Sequence, residues 1–305
     1  MGYPGQQVED PTSAPVASSD GDGARHHWLG TTRQGQKWEV FCGDAETVLK
    51  DLRGDPFNCV VTSPPYYWLR DYDVPGQTGM EESVDDYVST ISSSMEQVFE
   101  VLADNGVLFL NLGDTYYSGK GESQGKDPKS AKRRFGLRAV DKSGGVGIGI
   151  RPKSVIGVPW RVAIAMANKR KWVLRSAIIW HRRHALPEAV GDRPRRSYEY
   201  VFMFVKRRKY YFNRQAIRKE DVGEDVWTIP ARPKVNNGID TAPFPDELVR
   251  RCLELGCPPH GRVLDPYAGS GTTLRVALNS GHDAVGIDLS VRFCEYMAGN
   301  LESLA

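Results

Sequence analysis

Short apolar segments alternate with segments of helical periodicity along most of this chain, and this alternation restricts the fold more than any other feature. The apolar runs include NCVVT at 58–62, VLFLNL at 107–112 and AVGID at 284–288. A strand that is apolar on both faces must be covered by helices on both sides, as in a parallel sheet. The pattern therefore predicts an α/β fold of three layers.

Three segments of different composition precede or interrupt this pattern. Residues 1–28 are rich in Gly, Ser, Pro and Asp and are predicted to form a disordered leader, with order beginning near KWEVFCGD at 37–44. Residues 29–305 are predicted to form a single domain. A Gly-, Lys- and Ser-rich loop at 113–153 and a short irregular region at 206–241 are expected to interrupt it.

Positive charge is concentrated in two windows of the sequence. Residues 118–153 contain ten Lys and Arg against three Asp and Glu, and residues 169–219 contain sixteen against three. Because the net charge of the chain is only +2, the remainder is strongly acidic. Clustering of this kind indicates a polyanionic partner, and nucleic acid is the favoured interpretation.

Several classes of protein and site are disfavoured by composition. Apolar runs are all shorter than the roughly 20 residues of a membrane span, and the N-terminus lacks a secretory pattern. Five scattered cysteines are typical of reduced thiols in a cytoplasm. Cys252, Cys257 and His260 lie close in sequence, but a fourth ligand is missing nearby, so we predict no metal.

The segment RVLDPYAGSGTT at 262–273 reads as a strand, a glycine-rich turn and a helix start. Glycines at this position let a ligand approach the backbone closely. Leu274 stands where the dinucleotide fingerprint has its third glycine, which disfavours a nicotinamide dehydrogenase. An acidic residue before the turn, Asp265, is unsuited to a diphosphate and suits a cofactor with a cationic centre.

A second acidic residue, Asp288, ends the next strand, 17 residues after Gly271. A carboxylate at this strand tip can accept hydrogen bonds from both hydroxyls of a ribose. The combined features describe a nucleoside-type ligand with a positive centre and without phosphate. S-adenosyl-L-methionine fits this description.

The sequence TSPPY at 62–66 follows a buried strand directly. Two adjacent prolines have restricted φ angles, so the segment is either an ordinary turn or a rigid support for a flat polar molecule. In the second interpretation, the molecule would lie on the two prolines, under the ring of Tyr66.

Four segments in this order resemble the β-class DNA amino-methyltransferases: TSPPYY at 62–67, IIWHRRHALPE at 178–188, APFP at 242–245 and DPYAGSGTT at 265–273. The resemblance implies a three-layer, Rossmann-like methyltransferase fold with a mostly parallel, seven-stranded sheet. Because the catalytic motif precedes the cofactor motif, it also implies a circularly permuted motif order. S-adenosyl-L-methionine is the implied cofactor.

The resemblance favours the second interpretation of TSPPY and implies that Ser63, Pro64, Pro65 and Tyr66 are the catalytic residues. In this interpretation, the Ser63 side chain and the Pro64 carbonyl accept both hydrogens of a base amino group. Tyr66 then offers a stacking face to a flipped base.

The resemblance and the motifs together define two further sets of predicted site residues. The cofactor set is Asp44, Phe244, Asp265, Pro266, Tyr267, Ala268, Gly269, Ser270, Gly271, Thr272, Thr273 and Asp288. The DNA-binding set is Lys132, Arg133, Arg134, Trp180, Arg182, Arg183, Arg195 and Arg196, with Trp180 equally well explained as a core residue.

Serine before Pro-Pro is commoner in cytosine-N4 enzymes of the family, so Ser63 implies cytosine N4, with adenine N6 as the alternative. An RNA or protein methyltransferase and a non-catalytic DNA-binding module stay as more distant alternatives. The implied partner is double-stranded DNA, with a cognate restriction endonuclease and a homodimer as possibilities and without a membrane partner. A cytoplasmic, nucleoid-associated protein of a prokaryote or phage-infected cell is expected.

Overall fold

The computed structural model describes residues 26–117, 150–169, 171–183, 190–231 and 243–304. Nine strands lie in these ranges: β1 (His27–Thr31), β2 (Lys37–Cys42), β3 (Phe57–Thr62), β4 (Leu102–Leu112), β5 (Val173–His181), β6 (Tyr198–Val205), β7 (Val226–Thr228), β8 (Arg262–Asp265) and β9 (Asp283–Asp288).

The helices alternate with the strands over much of the chain. They are α1 (Ala45–Asp51), α2 (Val84–Val101), α3 (Val158–Asn168), α4 (Glu220–Gly223), α5 (Asp246–Gly256), α6 (Thr272–Asn279) and α7 (Val291–Glu302), with a short 3₁₀ helix at Ala216–Arg218. None of the helices in the described ranges is both long and apolar enough to cross a bilayer.

All nine strands belong to one sheet, in the order β1-β2-β9-β8-β3-β4-β6-β5-β7. Strands β2, β9, β8, β3 and β4 pair in parallel, whereas β1 and β6 pair antiparallel with their neighbours. The predicted mostly parallel, Rossmann-like sheet is therefore confirmed, but the prediction of seven strands is wrong. Two short outer strands, β1 and β7, extend the sheet on either side.

Helices cover both faces of the sheet, which confirms the predicted three layers. One core cluster joins β3 and β4 to α1, α2 and α3, and it includes Val60, Ile91 and Val162. The other cluster joins the opposite face to α5, α6 and α7, and it includes Leu248 and Met297. Successive residues of β3 alternate between the two clusters, as strand geometry requires.

Local sequence signals explain where several elements begin and end. Ser83 caps α2 by accepting a hydrogen bond from the Asp86 backbone N–H at 3.1 Å, as its sequence spacing predicts. The helix start predicted at the end of the segment 262–273 matches the beginning of α6 at Thr272. Strand β1 begins at His27 inside the predicted leader, so that prediction extends too far; residues 1–25 lie outside the described ranges.

The chain reverses its direction of winding between β3 and β8. From β3 it proceeds through α2 to β4 on one side, and from β8 through α6 to β9 on the other. The carboxyl ends of two such neighbouring strands form a crevice, the place where ligands bind in open α/β sheets. This crevice brings together segments that lie about 200 residues apart in the sequence.

Candidate active site

Two connections meet at the crevice: the β3–α2 loop (residues 63–83) and the β8–α6 turn (residues 266–271). Their strands are neighbours, with Val60 opposite Leu264 in the parallel register. The loop contains Ser63, Pro64, Pro65 and Tyr66, and the turn contains most of the predicted cofactor residues. The structure therefore places both predicted motifs side by side.

Asp265 joins the two motifs through its side chain. Its Oδ1 accepts a hydrogen bond from Thr62 Oγ1 at 2.7 Å, and its Oδ2 accepts one from Thr273 Oγ1 at 2.6 Å. The Tyr267 backbone N–H donates a third, at 3.1 Å. The carboxyl group is buried, and burial raises its pKa to about 6.

The Asp265 carboxyl group is bonded to protein groups on both sides. Asp265 is 1% exposed and its oxygens face the threonine hydroxyls of β3 and α6. A side chain bonded in this way holds the end of β3 against the start of α6. Asp265 therefore joins β3 to α6, and its predicted contact with a cofactor stays a prediction.

The β8–α6 turn depends on backbone conformations that favour glycine. Gly269 and Gly271 have φ angles of 54° and 80°. A Cβ atom on Gly271 would lie 2.6 Å from Met297 Cγ, whereas a Cβ on Gly269 would meet nothing within 4 Å. The turn therefore packs tightly on α7 at Gly271 and has open space beside Gly269.

Two acidic residues flank the turn at the ends of neighbouring strands. Asp288, at the end of β9, accepts hydrogen bonds from the backbone N–H groups of Gly269 and Ser290, both at 2.9 Å. Burial raises the pKa of Asp288 to about 6. Asp44 is exposed and caps α1, its Oδ1 accepting from the Thr47 backbone N–H at 2.9 Å. Both carboxylates therefore have structural hydrogen bonds within the protein, and a bound ligand would add to these bonds.

The other predicted cofactor residues divide by exposure. Tyr267, Gly269 and Ser270 are partly exposed. The buried members are Phe244, Pro266, Ala268, Gly271, Thr272 and Thr273. The Tyr267 hydroxyl donates to Ser94 Oγ of α2 at 2.9 Å, and burial raises the pKa of Tyr267 to about 12. The partly exposed residues of the turn are therefore the ones within reach of a ligand.

The β3–α2 loop is held by side chains of the following helix and by bonds within the loop. The Tyr87 hydroxyl of α2 donates to the Pro65 carbonyl at 2.9 Å. The Trp68 backbone N–H donates to the Gly79 carbonyl at 2.7 Å, and the Trp68 indole N–H donates to the Glu81 carbonyl at 2.8 Å. These bonds keep the two prolines in a defined position at the end of β3.

The Tyr66 ring lies against the backbone at the end of β4. A Cβ atom on Gly113 would come within 2.5 Å of Tyr66 Cε2, so only glycine allows this approach. The Tyr66 hydroxyl donates to Glu199 Oε2 at 2.5 Å and lies 3.0 Å from Asn111 Oδ1. Ser63 Oγ donates to the Tyr66 oxygen at 3.3 Å.

Gly113, Asn111 and Glu199 were missed by sequence reasoning. Asn111 is a single polar residue in the apolar run VLFLNL, and Glu199 is the single acid in YEYVFMFV. Both are buried. A lone polar residue in a buried strand needs a partner, and this signal could have identified them.

The predicted DNA-binding arginines gather near the start of β6 but differ in their surroundings. Arg183 and Arg195 are exposed, and Arg196 is partly exposed. Arg182 is partly buried, and its Nη1 forms an ion pair with Glu199 Oε1 at 2.8 Å. Arg182 is therefore linked to the Tyr66 hydroxyl through Glu199.

Trp180 is the member of the predicted DNA-binding set that the structure contradicts. Its side chain is 5% exposed, lies in the core cluster of α5–α7, and donates from Nε1 to the Ile229 carbonyl at 3.0 Å. The core interpretation of Trp180 is thus correct, because the indole is buried and its N–H has an acceptor just after β7.

The ends of the predicted basic loop pair with each other. Tyr116 and Val155 form an antiparallel bridge, and the Ile156 backbone N–H donates to the Thr115 carbonyl at 3.0 Å. Asp114 Oδ1 accepts from the Val158 backbone N–H at the start of α3, at 3.0 Å. The predicted contacts at Lys132, Arg133 and Arg134 lie outside the described residues.

The predicted region at 206–241 is described as far as residue 231. The described part ends with β7, which joins the sheet, and Trp227 is fully buried beside β5.

The cysteine and histidine side chains form no metal-binding group in the described residues. Cys257 Sγ lies 3.6 Å from His282 Nδ1. Across the described ranges, no group of three or more His, Cys, Asp or Glu side chains is arranged to hold a metal ion.

Proteins of similar sequence are found among the type II methyltransferases. The chain is 38% identical over 269 residues to M.XycI of Xanthomonas campestris pv. cyanopsidis, covering 86% of this chain and 87% of that protein. It is 39% identical over 263 residues to M.SmaI of Serratia marcescens, covering 84% and 87%.

Two solved structures show the same fold at low sequence identity. The cytosine-N4-specific PvuII DNA methyltransferase has a TM-score of 0.66 at 16% identity, over 90% of this chain and 94% of that one. A putative DNA modification methylase of Thermus thermophilus, crystallised with S-adenosyl-L-methionine, has a TM-score of 0.58 at 24% identity, over 86% and 94%.

Residues 57–299 match the family N6_N4_Mtase, described as DNA methylase. The matched range begins at β3 and ends in α7, so it includes the β3–α2 loop, the β8–α6 turn and the sheet that positions them. Sequence, fold and site agree, and this chain belongs to the DNA methylase family N6_N4_Mtase.

Proposed function

We propose that this protein transfers the methyl group of S-adenosyl-L-methionine to the exocyclic amino group, N4, of a flipped cytosine in a specific sequence of duplex DNA. The observation that carries the proposal is the bonded path from Thr62 through Asp265 to Thr273. This path holds the β3–α2 loop against the β8–α6 turn. Membership of the DNA methylase family supports DNA as the substrate.

The residues of the crevice fit S-adenosyl-L-methionine. Open space lies beside Gly269, and within the described part of the chain the buried Thr272 Oγ1 lacks a hydrogen-bond partner. Asp288 offers carboxylate oxygens at the tip of β9 to the ribose, and exposed Asp44 lies at the end of the adjacent β2. The bound cofactor supplies an electrophilic methyl group on a sulfonium.

Ser63 and Pro64 activate the amino group that is methylated. An exocyclic amine is a poor nucleophile because its lone pair is delocalised into the ring. When Ser63 Oγ and the Pro64 carbonyl accept its two hydrogens, the nitrogen becomes more tetrahedral and the lone pair is available for attack. The rigid prolines place both acceptors before substrate binds, so placement and electrostatics contribute most of the acceleration.

Tyr66 holds the extruded base by stacking. Its ring is partly exposed and rests against Gly113, so the base is expected on the face away from Gly113. Enzymes that act on a base atom hidden in the duplex rotate the nucleotide into a pocket and stack it on aromatic side chains. The methylated amine is cationic and loses a proton readily, so the mechanism requires no separate general base.

Cytosine N4 is preferred to adenine N6 because of Ser63. Serine at this place in the motif is typical of cytosine-N4 enzymes, and the PvuII enzyme, which has the same fold, is cytosine-N4-specific. Methylation of adenine N6 by the same residues is the alternative. Both bases present an amino group to the same pair of acceptors.

Exposed arginines near the site are proposed to contact the DNA backbone. Arg183 and Arg195 are exposed at the same edge of the sheet as Tyr66. We expect Lys132, Arg133 and Arg134 to contribute as well, so that their joint replacement by alanine weakens DNA binding. The slope of log K against log salt is negative, and each phosphate contact contributes about 0.9 to its magnitude. The replacement should therefore make the slope less steep. An unchanged slope would remove these three residues from the interface.

The type II relatives favour a cognate restriction endonuclease as a functional partner, and a homodimer is a further possibility. The methyltransferase and such an endonuclease would act on DNA separately, so the two proteins need not bind each other. Sedimentation of the purified chain with and without duplex DNA would measure its oligomeric state. A cytoplasmic, nucleoid-associated location follows from the proposed substrate.

The proposal is tested by sequencing genomic DNA from an expressing host with a method that reports modified bases. N4-methylcytosine in one sequence context is the expected result, with the Ser63→Ala variant as the unmodified control. N6-methyladenine in that context would favour the alternative base. Unmodified DNA, together with methyl transfer from labelled cofactor to RNA, would overturn the proposal.

A further inference from the structure

Three polar side chains form a cluster at the hydroxyl end of Tyr66. Asn111 comes from β4, Glu199 from β6, and Arg182 follows β5. Glu199 is 8% exposed and Asn111 is 2% exposed. Burial of a carboxylate is costly unless it is paired and hydrogen-bonded, so the position of Glu199 requires an explanation.

The Glu199 carboxylate has three polar partners. Its Oε1 pairs with Arg182 Nη1 at 2.8 Å, and its Oε2 accepts from the Tyr66 hydroxyl at 2.5 Å and from Asn111 Nδ2 at 3.3 Å. Asn111 Nδ2 also donates to the Tyr200 carbonyl at 3.0 Å, which fixes the amide in place. The carboxylate is therefore held in one orientation, with one oxygen directed at Tyr66.

The direction of the hydrogen bonds follows from the number of hydrogens available. A tyrosine hydroxyl has one hydrogen, and the charged Glu199 oxygen is the strongest acceptor within reach. The Tyr66 oxygen is then left to accept, and Ser63 Oγ donates to it at 3.3 Å. Once the Ser63 hydrogen is used in this way, the lone pairs of its oxygen remain free to accept from another donor.

The protonation state of Tyr66 agrees with this direction. Burial and the neighbouring negative charge of Glu199 raise the pKa of the Tyr66 phenol well above its usual value. The phenol is therefore protonated at neutral pH and can donate. Arg182, the positive partner of Glu199, acts in the opposite direction on that pKa.

We propose that Glu199 is a positioning residue that acts through the Tyr66 hydroxyl to orient the Ser63 hydroxyl, so that the Ser63 oxygen faces the substrate amine as an acceptor. This inference rests on the proposed function, in which Ser63 accepts an amino hydrogen. It adds a residue from β6, 136 positions after Ser63, to the machinery of the β3–α2 loop.

The first test is a double-mutant cycle of Tyr66→Phe and Glu199→Gln, measured as single-turnover methyl transfer. Each single variant should lower the rate roughly tenfold to a hundredfold, the value of a hydrogen bond to a charged group. Because Glu199 acts through the Tyr66 hydroxyl, the double variant should be no slower than Tyr66→Phe. Rates that fall by the product of the two single effects would overturn the proposal.

Two further variants separate positioning from folding. Glu39→Gln is the matched control, since Glu39 is also a partly buried carboxylate paired with an arginine, Arg262, at 3.3 Å. It should leave the rate unchanged. If Glu199→Gln does not fold, Glu199→Asp keeps the charge beside Arg182 but withdraws the carboxylate from Tyr66, and the same cycle applies.

The second test detects the hydrogen bond between Tyr66 and Glu199 by NMR, without measuring catalysis. With ¹³C at the Cζ of all 13 tyrosines, the Tyr66 resonance is assigned by its loss in Tyr66→Phe. Its chemical shift should move in Glu199→Gln and stay in Glu39→Gln; an unmoved shift in Glu199→Gln would overturn the proposal. A wild-type protein that modifies no DNA would count against the proposed function. The chemical shift would still test the hydrogen bond from Tyr66 to Glu199.

Discussion

The β8–α6 turn and the β3–α2 loop lie side by side but are stabilised in different ways. The turn is six residues long and closes on itself, with the Gly271 backbone N–H donating to the Ala268 carbonyl at 2.8 Å. The loop is 21 residues long and is supported by side chains from other elements, among them Tyr87 of α2 and Glu199 of β6.

This difference predicts which substitutions impair each region. The conformation of the turn is set by its own glycines and by packing on α7, so harmful changes should lie within it. The position of the catalytic side chains in the loop depends on residues far away in the sequence. Substitutions in β4 or β6 should therefore impair methyl transfer while cofactor binding is retained.

Gly113→Ala should produce the largest effect that separates the two regions. The added methyl group would overlap Tyr66 Cε2 at 2.5 Å and displace the ring. We expect the methyl-transfer rate to fall about a hundredfold, since a displacement of about 1 Å at a positioning group can cost that much. Calorimetric titration should find cofactor affinity unchanged. Gly54→Ala, at an open position, is the control.

A pair of alanine variants tests whether the turn depends on packing or only on φ. Gly269 and Gly271 both have positive φ, but only a Cβ on Gly271 would meet Met297. In cofactor-free protein, Gly271→Ala should lower the free energy of unfolding by about 1–3 kcal/mol more than Gly269→Ala, because overpacking adds to backbone strain. Equal losses in urea titrations would leave backbone conformation as the sole constraint.

Cofactor affinity should depend on pH through Asp288. Its pKa of about 6 lies above the ordinary value of 3.8, so protonation occurs as the pH falls from about 7.5 to about 5. The neutral acid accepts ribose hydroxyls less well, and we expect the Kd to rise about tenfold over this range. Asp288→Asn should bind weakly at both pH values.

The sign of this effect separates it from unfolding. A carboxyl group whose folded pKa is raised stabilises the fold when it is protonated, so loss of the Asp288 charge does not itself unfold the protein at about pH 5. Asp265 also has a pKa of about 6. A pH dependence that persists in Asp288→Asn would exclude Asp288 as its source, and Asp265→Asn would then test Asp265.

Most of the sheet and both motifs were predictable from the sequence because their signals are local. Continuous apolar runs located β3, β4 and β9, and the glycine turn located the start of α6. Strand β1 was missed because HWLGT is short and pairs antiparallel at the sheet edge, where one face is exposed. Strand β7 has only three residues and depends on pairing with β5.

The support of the catalytic loop could not be predicted in the same way. Asn111 and Glu199 meet Tyr66 only because β4 and β6 are neighbours in the sheet. The inward orientation of Asp265 likewise depends on Thr62, which is 203 residues away. Pairings over such distances follow from strand order, and the spacing of residues within a motif does not encode them.

The proposed mechanism depends on Ser63, held beside the cofactor turn, accepting a hydrogen from the amino group that is methylated. The decisive test is the transfer of a labelled methyl group from S-adenosyl-L-methionine to duplex DNA by the wild type and by Ser63→Ala. We expect Ser63→Ala to bind the cofactor with wild-type affinity but to transfer the label to cytosine N4 at least about a hundredfold more slowly. Transfer by Ser63→Ala at the wild-type rate would contradict this mechanism.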